Sequence, residues 1–220
     1  MQNPFKLMTC QLALFIREGN VRSDEFSFEL SKNMDIGSYE PMLIPEAPGM
    51  PPEFPRLQIS TPKGYQLTLS RVRVDFLITL PLGLEASEVD HFHSQCKKLL
   101  KILDERNFKY SRVGYIHNYF ATGQSVIESF IKKATPFRER DFFELSLSVT
   151  EHINVSNWVC NSLYSFSSAF TAFNEPGLFA VRDLNTAPDK DYILTKEDIE
   201  AVLKTAPEIV NISSINQLVG

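Results

Sequence analysis

An alternation of side chains between residues 71 and 80 constrains the fold of this chain more than any other feature. Every second position is apolar, and these positions are Val72, Val74, Phe76, Ile78 and Leu80. Successive side chains of a β-strand point to opposite faces, so the pattern predicts a strand with one face in the core. We expect this strand to span residues 65–80 and to follow a strand at 56–61 through a hairpin turn at Pro62-Lys63-Gly64.

The same period of two predicts the remaining strands, at residues 6–17, 110–120, 142–151, 158–172 and 178–184, with a turn at 152–154. The clearest helix is expected at 86–106, where apolar residues recur every three or four positions and Ser87 with Asp90 matches a capping box. Residues 23–33 fit a short helix or a strand. Further helices are expected at 124–133 and from Thr195 to about residue 204, followed by a second capping box at Thr205.

This order of elements predicts an α+β fold, with a largely antiparallel sheet and helices packed mainly on one face. A doubly wound nucleotide-binding fold is disfavoured, because no Gly-rich first turn and no continuously apolar strands are present. We expect a single domain over residues 1–220. Its halves, 1–107 and 108–220, show a similar β-α-β-β-α order, which suggests an internal duplication.

Six prolines fall between Pro41 and Arg56. The segment could be an ordered arm, a disordered loop or a polyproline ligand for another protein. Apolar residues alternate with the prolines, and a flexible linker would instead be rich in Gly and Ser. We therefore interpret residues 37–55 as an ordered arm whose apolar groups need burial.

Composition narrows the function by exclusion. The net charge of −5 provides no overall positive field for a nucleic acid. Three widely spaced cysteines without a CxxC pair fit reduced thiols, and the first residues show no basic leader followed by an apolar run. No stretch approaches the ~20 apolar residues of a membrane span. These features favour a cytoplasmic protein without a nucleic-acid or membrane partner.

No catalytic or phosphate-binding motif is present, and the chain has only nine glycines for backbone anion cradles. His91 and His93 would lie about 200° apart around a helix and cannot share a metal ion. His93 and Cys96 have a suitable spacing, but Cys96 belongs to the apolar stripe and no second ligand pair follows. We expect neither a metal nor a cofactor.

Six residues remain as candidates for binding a ligand or a partner: Arg71, Arg73, Tyr115, His117, Tyr119 and Glu144. If Val72 and Val74 face the core, the two arginines point away from the helices, as Glu144 does on its own strand. The pattern does not decide which face Tyr115, His117 and Tyr119 share. A sheet face with such groups is a solvated surface, a protein-association surface or a ligand-binding floor.

Two functional hypotheses follow. The first is a non-enzymatic interaction or assembly module that self-associates, with a homodimer as the expected form, through an exposed sheet face or the Pro-rich arm. Its basis is the lack of catalytic motifs together with 17 Phe and 7 Tyr residues. The second is a protein or enzyme that binds a small anion with Arg71 and Arg73 and transfers a proton with His117 or Glu144.

Overall fold

The computed structural model describes residues 5–19, 22–136, 144–188, 191–213 and 215. The strands are β1 (Lys6–Glu18), β2 (Met42–Leu43), β3 (Leu57–Ser60), β4 (Tyr65–Leu69), β5 (Arg73–Thr79), β6 (Lys109–Thr122), β7 (Ser146–Val155), β8 (Trp158–Phe170) and β9 (Pro176–Thr186). The helices are α1 (Ser23–Asn33), α2 (Ala86–Asp104), α3 (Gln124–Ala134) and α4 (Lys196–Ile209). None of these four helices has both the length and the apolar character needed to cross a membrane.

The nine strands form one sheet in the order β2-β3-β4-β5-β1-β6-β9-β8-β7. Every neighbouring pair is antiparallel. The predicted α+β class with a largely antiparallel sheet is therefore confirmed. Within each half, the first strand pairs with the last, β1 with β5 and β6 with β9, and the β1–β6 ladder joins the halves. An internal duplication stays a prediction.

All four helices pack against one face of the sheet, which we call the helix-covered face. Val74 of β5 and Leu99 of α2 are completely buried there, in a cluster that also contains residues of α1 and α4. Helix α3 packs on the same face against the far strands, through Phe130 and Ile131. The opposite face, the open face, is covered by no described helix and carries Arg73, whose side chain is 40% exposed.

The predicted long strand at 65–80 is two strands. Ser70 interrupts it, because its hydroxyl accepts hydrogen bonds from the backbone amides of Val72 and Arg73 and so stabilises a tight turn. The backbone amide of Ser70 also donates to the carbonyl of Arg73 at 2.8 Å. The two parts therefore pair with each other as β4 and β5, and Arg71 lies in the turn and not in a strand.

Three smaller predictions were wrong. Glu85 caps α2 in a capping box with Glu88, in place of Ser87 with Asp90. Residues 152–154 continue β7, and the turn comes after Val155. The second capping box at Thr205 does not form, because α4 continues through Pro207 to Ile209.

The Pro-rich segment runs along the β3 edge of the sheet. Its strand β2 pairs with β3, the amide of Ile44 donates to the carbonyl of Arg56, and the amide of Arg71 donates to the carbonyl of Pro52. Its apolar side chains are less buried than expected, since Met42, Leu43 and Phe54 are 59%, 46% and 43% exposed. The backbone of the segment is bonded to the sheet, while part of its apolar surface faces solvent.

Candidate functional site

The structure separates the six residues proposed from the sequence. Arg73 lies on the open face, Arg71 in the β4–β5 turn, and Glu144 is exposed just before β7. Tyr115, His117 and Tyr119 are buried on the helix-covered face, 0%, 3% and 2% exposed. The proton-transfer groups and the arginines of the second hypothesis therefore do not meet.

Arg71 binds the Pro-rich segment through its guanidinium. Its Nε donates to Glu46 Oε1 at 3.0 Å and its Nη2 to Glu46 Oε2 at 2.5 Å. Both side chains are about half exposed, and the ion pair lowers the pKa of Glu46. The positive charge of Arg71 is thus already neutralised within the chain.

Arg73 begins a polar network on the open face. Its Nη2 donates to Asp75 Oδ1 at 2.7 Å, and Gln11 Nε2 donates to the same oxygen at 2.8 Å. The Arg73 guanidinium also lies over the ring of Phe15, 4.8 Å from the centroid, and Arg112 lies over the same ring at 5.2 Å. Phe15 thus separates two guanidinium groups of neighbouring strands.

A polar cluster lies beside this ring. It surrounds Ala13 of β1 and Gly114 of β6, which face each other across the ladder and are both buried. Asn185 accepts hydrogen bonds from Arg112 Nη2 at 2.6 Å and from Asn161 Nδ2 at 3.1 Å. The polar cluster therefore brings amide and guanidinium groups together beside two small residues.

Two buried polar atoms of this polar cluster have no hydrogen-bond partner among the described residues: Arg112 Nε and Asp183 Oδ1. A Cβ added at Gly114 would lie 3.8 Å from that Asp183 oxygen. Burial raises the pKa of Asp183, and a hydrogen bond from Asn185 and the charge of Arg112 partly oppose the shift. Unsatisfied polar atoms at a partly buried site are unusual and indicate a place for a ligand or water.

Tyr119 and its neighbours serve a different purpose on the helix-covered face. The Tyr119 hydroxyl donates to the carbonyl of Val210, at the C-terminus of α4, at 2.7 Å. Because that proton is committed, His117 Nδ1 must carry a hydrogen and donate it to Tyr119 Oη, 3.0 Å away. His117 Nε2 then accepts from the Tyr115 hydroxyl at 3.0 Å, and His93 Nε2 donates to Tyr115 Oη at 2.7 Å.

A neutral His117 satisfies every member of this chain of hydrogen bonds. Burial, and secondarily the nearby His93, lowers the pKa of His117 from 6.5 to about 3. Burial also raises the pKa values of Tyr115 and Tyr119. These groups therefore stay uncharged near neutral pH and bind the end of α4 to the sheet, with no access to the open face.

Arg182 completes this attachment, and the sequence patterns did not single it out. It is 1% exposed and stacks on Tyr164 with its guanidinium carbon 3.2 Å from the ring centroid. Its Nη2 donates to the carbonyl of Ile209, the last residue of α4, at 3.0 Å, and its Nη1 donates to the carbonyl of Leu163 at 2.8 Å. A cation at a helix C-terminus also interacts favourably with the helix dipole.

An apolar cleft of about 710 Å³ opens at the end of the open face where β1 begins and β6 ends. Its walls include Met8, Pro81, Leu82, Phe120, Phe170 and Phe179. Lys6 is the one charged side chain among the described residues that line it. Concave apolar surface of this kind is typical of a binding site for another protein or for an apolar ligand.

Phe173 projects from the rim of this cleft and is 88% exposed. It sits in the β8–β9 turn, where the Thr171 hydroxyl accepts hydrogen bonds from the amides of Phe173 and Glu175. The amide of Asn174 also donates to the carbonyl of Thr171, and Asn174 has a left-handed φ of 62°. The hydrogen bonds of this turn therefore hold the aromatic ring out in solvent. In the sequence, the position of Phe173 just before a predicted turn could have indicated this exposure.

Comparison with known proteins adds no functional assignment. The chain matches no protein-family model, and no curated protein is detectably similar to it in sequence. Within the described ranges, no group of three His, Cys, Asp or Glu side chains is arranged to hold a metal ion.

Proposed function

We propose that this chain is a non-enzymatic interaction module that self-associates through the open face of its sheet. The observation that carries the proposal is the apolar cleft with Phe173 and Leu82, which is 86% exposed, at its rim. Exposed apolar side chains grouped around an apolar cleft are typical of association surfaces. Phe and other large side chains that fill pockets are typical of the residues that dominate binding energy.

A second copy of the chain is the partner that this surface fits best. A two-fold symmetric dimer uses the same patch on both subunits, so the patch must contain both a projection and a complementary hollow. Phe173 is the projection and the cleft is the hollow. The turn at Thr171 holds Phe173 in position before binding, which lowers the conformational entropy lost on association.

Replacing Phe173 with Asp is expected to weaken the dimer by at least about 30-fold in Kd, the effect of a binding hot spot of 2 kcal/mol. The fold should be unaffected, because the Phe173 side chain is almost fully exposed. Light scattering and sedimentation over a concentration series would measure the change.

Phe28→Asp is the matched control, because Phe28 of α1 is 66% exposed outside the open face. It should leave the dimer constant unchanged. A wild-type chain that stays monomeric at every concentration would contradict self-association altogether. If Phe173→Asp leaves the dimer intact, the contact is made by the Pro-rich segment. Its exposed Phe54 is then the next residue to replace.

We infer a second candidate function from the polar cluster at Ala13 and Gly114: binding of a small anion. Arg112 supports it, because its guanidinium has a neutral amide partner in Asn185 and a buried Nε with no partner among the described residues. Arg71 and Arg73, in contrast, already bind carboxylates. Arginine binds carboxylate and phosphate oxygens through paired N–H groups.

Titration with inorganic phosphate, followed by amide chemical shifts of β6 and β9, tests this candidate. Arg112→Met should weaken phosphate binding at least tenfold, since a charge-assisted hydrogen bond contributes about 1.5–3 kcal/mol. Arg71→Met removes an arginine outside the polar cluster and should leave the affinity unchanged. Equal losses in the two variants would indicate attraction by general surface charge and would dismiss the site.

A further inference from the structure

The two edges of the sheet are built differently. One edge is β2, only two residues long and flanked by Pro41 and Pro45. The other is β7, a ten-residue strand that contains no proline and no lysine. Proteins normally guard exposed edge strands by shortening them or by adding proline, lysine or other charged residues, and a long edge with few such guards is a template for pairing with another strand. Among these guards β7 has one carboxylate, Glu151.

The register of β7 shows which of its backbone groups are free. The carbonyl of Leu145 accepts from the amide of Ser168, and the β7–β8 register continues without a bulge. Hydrogen-bonded pairs alternate along an antiparallel ladder, so odd-numbered residues of β7 bond to β8 and even-numbered residues direct their N–H and C=O outward. Among the described residues, no backbone hydrogen bond to another element reaches these outward groups.

We propose that β7 pairs in antiparallel fashion with β7 of a second copy, so that the sheet continues from one molecule into the other. The proposal uses a different surface from the cleft and stands independently of it. The even-numbered side chains, on the open-face side, are all polar: Ser146, Ser148, Thr150, His152 and Asn154. The odd-numbered side chains are those of Leu147, Val149, Glu151, Ile153 and Val155, and Val149 is 55% exposed.

One register of this pairing is favoured. Even-numbered residues of one copy pair with even-numbered residues of the other, because only these direct their backbone groups outward. At the two-fold axis, one residue of β7 therefore lies opposite the same residue of the second copy. Centring on Thr150 places Leu147 opposite Ile153 and Ser146 opposite Asn154, while Val149 opposite Glu151 is the one pair that combines an apolar and a charged side chain. Centring on Glu151 would place two carboxylates directly opposite each other, and centring on Val149 would shorten the ladder.

Single cysteines test both the pairing and its register. A Thr150→Cys pair would have a Cα separation of about 5.5 Å, within the range of a disulfide. A Ser146→Cys pair would lie eight residues out of register, about 26 Å apart. Cys10, Cys96 and Cys160 are completely buried, so they do not compete as exposed thiols.

Under mild oxidation of micromolar protein, Thr150→Cys should form covalent dimer about 100-fold faster than Ser146→Cys, because pairing raises the effective thiol concentration to ~1 mM. A mixture of Ser146→Cys and Asn154→Cys should crosslink as a heterodimer. Equal crosslinking of Thr150→Cys and Ser146→Cys would reveal random collision and overturn the proposal. Crosslinking of neither, with both thiols reactive toward a thiol reagent, would overturn it as well.

The same experiment in a Phe173→Asp background separates this inference from the proposed function. Rapid crosslinking that survives this substitution supports β7 pairing whatever the cleft does. Loss of the Thr150→Cys crosslink in that background would show that the contact at the cleft holds the copies together and that β7 does not pair by itself.

Discussion

Truncating Arg182 to Ala will lower the free energy of unfolding by about 3–5 kcal/mol, because it removes side-chain donors from two part-buried carbonyls and opens a cavity. The carbonyls are those of Ile209 at the end of α4 and Leu163 of β8. Stacking on Tyr164 is lost as well. Urea denaturation followed by circular dichroism measures the change, and hydrogen exchange should show the largest loss of protection in α4.

Two other arginine variants make the comparison specific. Arg182→Lys keeps the charge but not the planar arrangement of donors. Its free energy of unfolding should therefore lie between those of the wild type and Arg182→Ala. Arg71→Ala breaks only the exposed ion pair with Glu46 and should leave the free energy of unfolding nearly unchanged. If Arg182→Ala costs no more than Arg71→Ala, Arg182 does not attach α4 to the sheet.

His117 will make the protein less stable in acid. Its pKa is lowered by burial from 6.5 to about 3 in the folded protein, so below pH 6.5 the unfolded chain takes up a proton that the folded protein does not. The contribution of His117 to the free energy of unfolding is fully present above pH 6.5 and is lost as the pH falls toward 3. The loss between pH 8 and pH 5 amounts to about 2 kcal/mol.

The variant His117→Gln removes this titration and retains a group that can hydrogen-bond. Its free energy of unfolding should fall about 2 kcal/mol less than that of the wild type between pH 8 and pH 5. His152→Gln, which removes an exposed histidine of β7, should follow the wild type. Parallel curves for wild type and His117→Gln would show that His117 is not held neutral by its surroundings.

The alternation of side chains was sufficient to predict the sheet and its helix-covered face. Val74 is buried and Arg73 is on the other side, as the period of two around β5 requires. The segment 23–33, which was ambiguous from the sequence, is a helix because Phe26 and Leu30, four residues apart, are both buried on one side of it. Local periodicity therefore carries most of the information on this architecture.

The break at Ser70 leaves a signal in the periodicity, because the apolar positions are odd-numbered up to Leu69 and even-numbered from Val72 onward. The prediction of one strand over residues 65–80 overlooked this change of phase. Apolar spacing does not report the cause of the break, which is a hydroxyl that accepts hydrogen bonds from two backbone amides. Local spacing was also insufficient for α4, where Thr205 and Pro207 resemble a helix start but lie within the last turns.

The candidate site was only partly predictable, because β6 carries polar groups on both faces. Tyr115 and His117 share one face and Arg112 is on the other, so the pattern alone does not show which is buried. The buried face of β6 is determined by the end of α4, whose carbonyls need hydrogen-bond donors from the sheet. That requirement joins residues about 90 positions apart in sequence and leaves no local pattern.

The central position of the β1–β6 ladder has a consequence for synthesis on the ribosome. Strand β1 has β5 on one side and β6 on the other, and β5 is complete thirty residues before β6 begins. A nascent chain that has already formed its first half therefore displays one unpaired edge of the thirteen-residue strand β1 until residues 109–122 emerge. During that interval this edge can pair incorrectly with another chain or bind a chaperone.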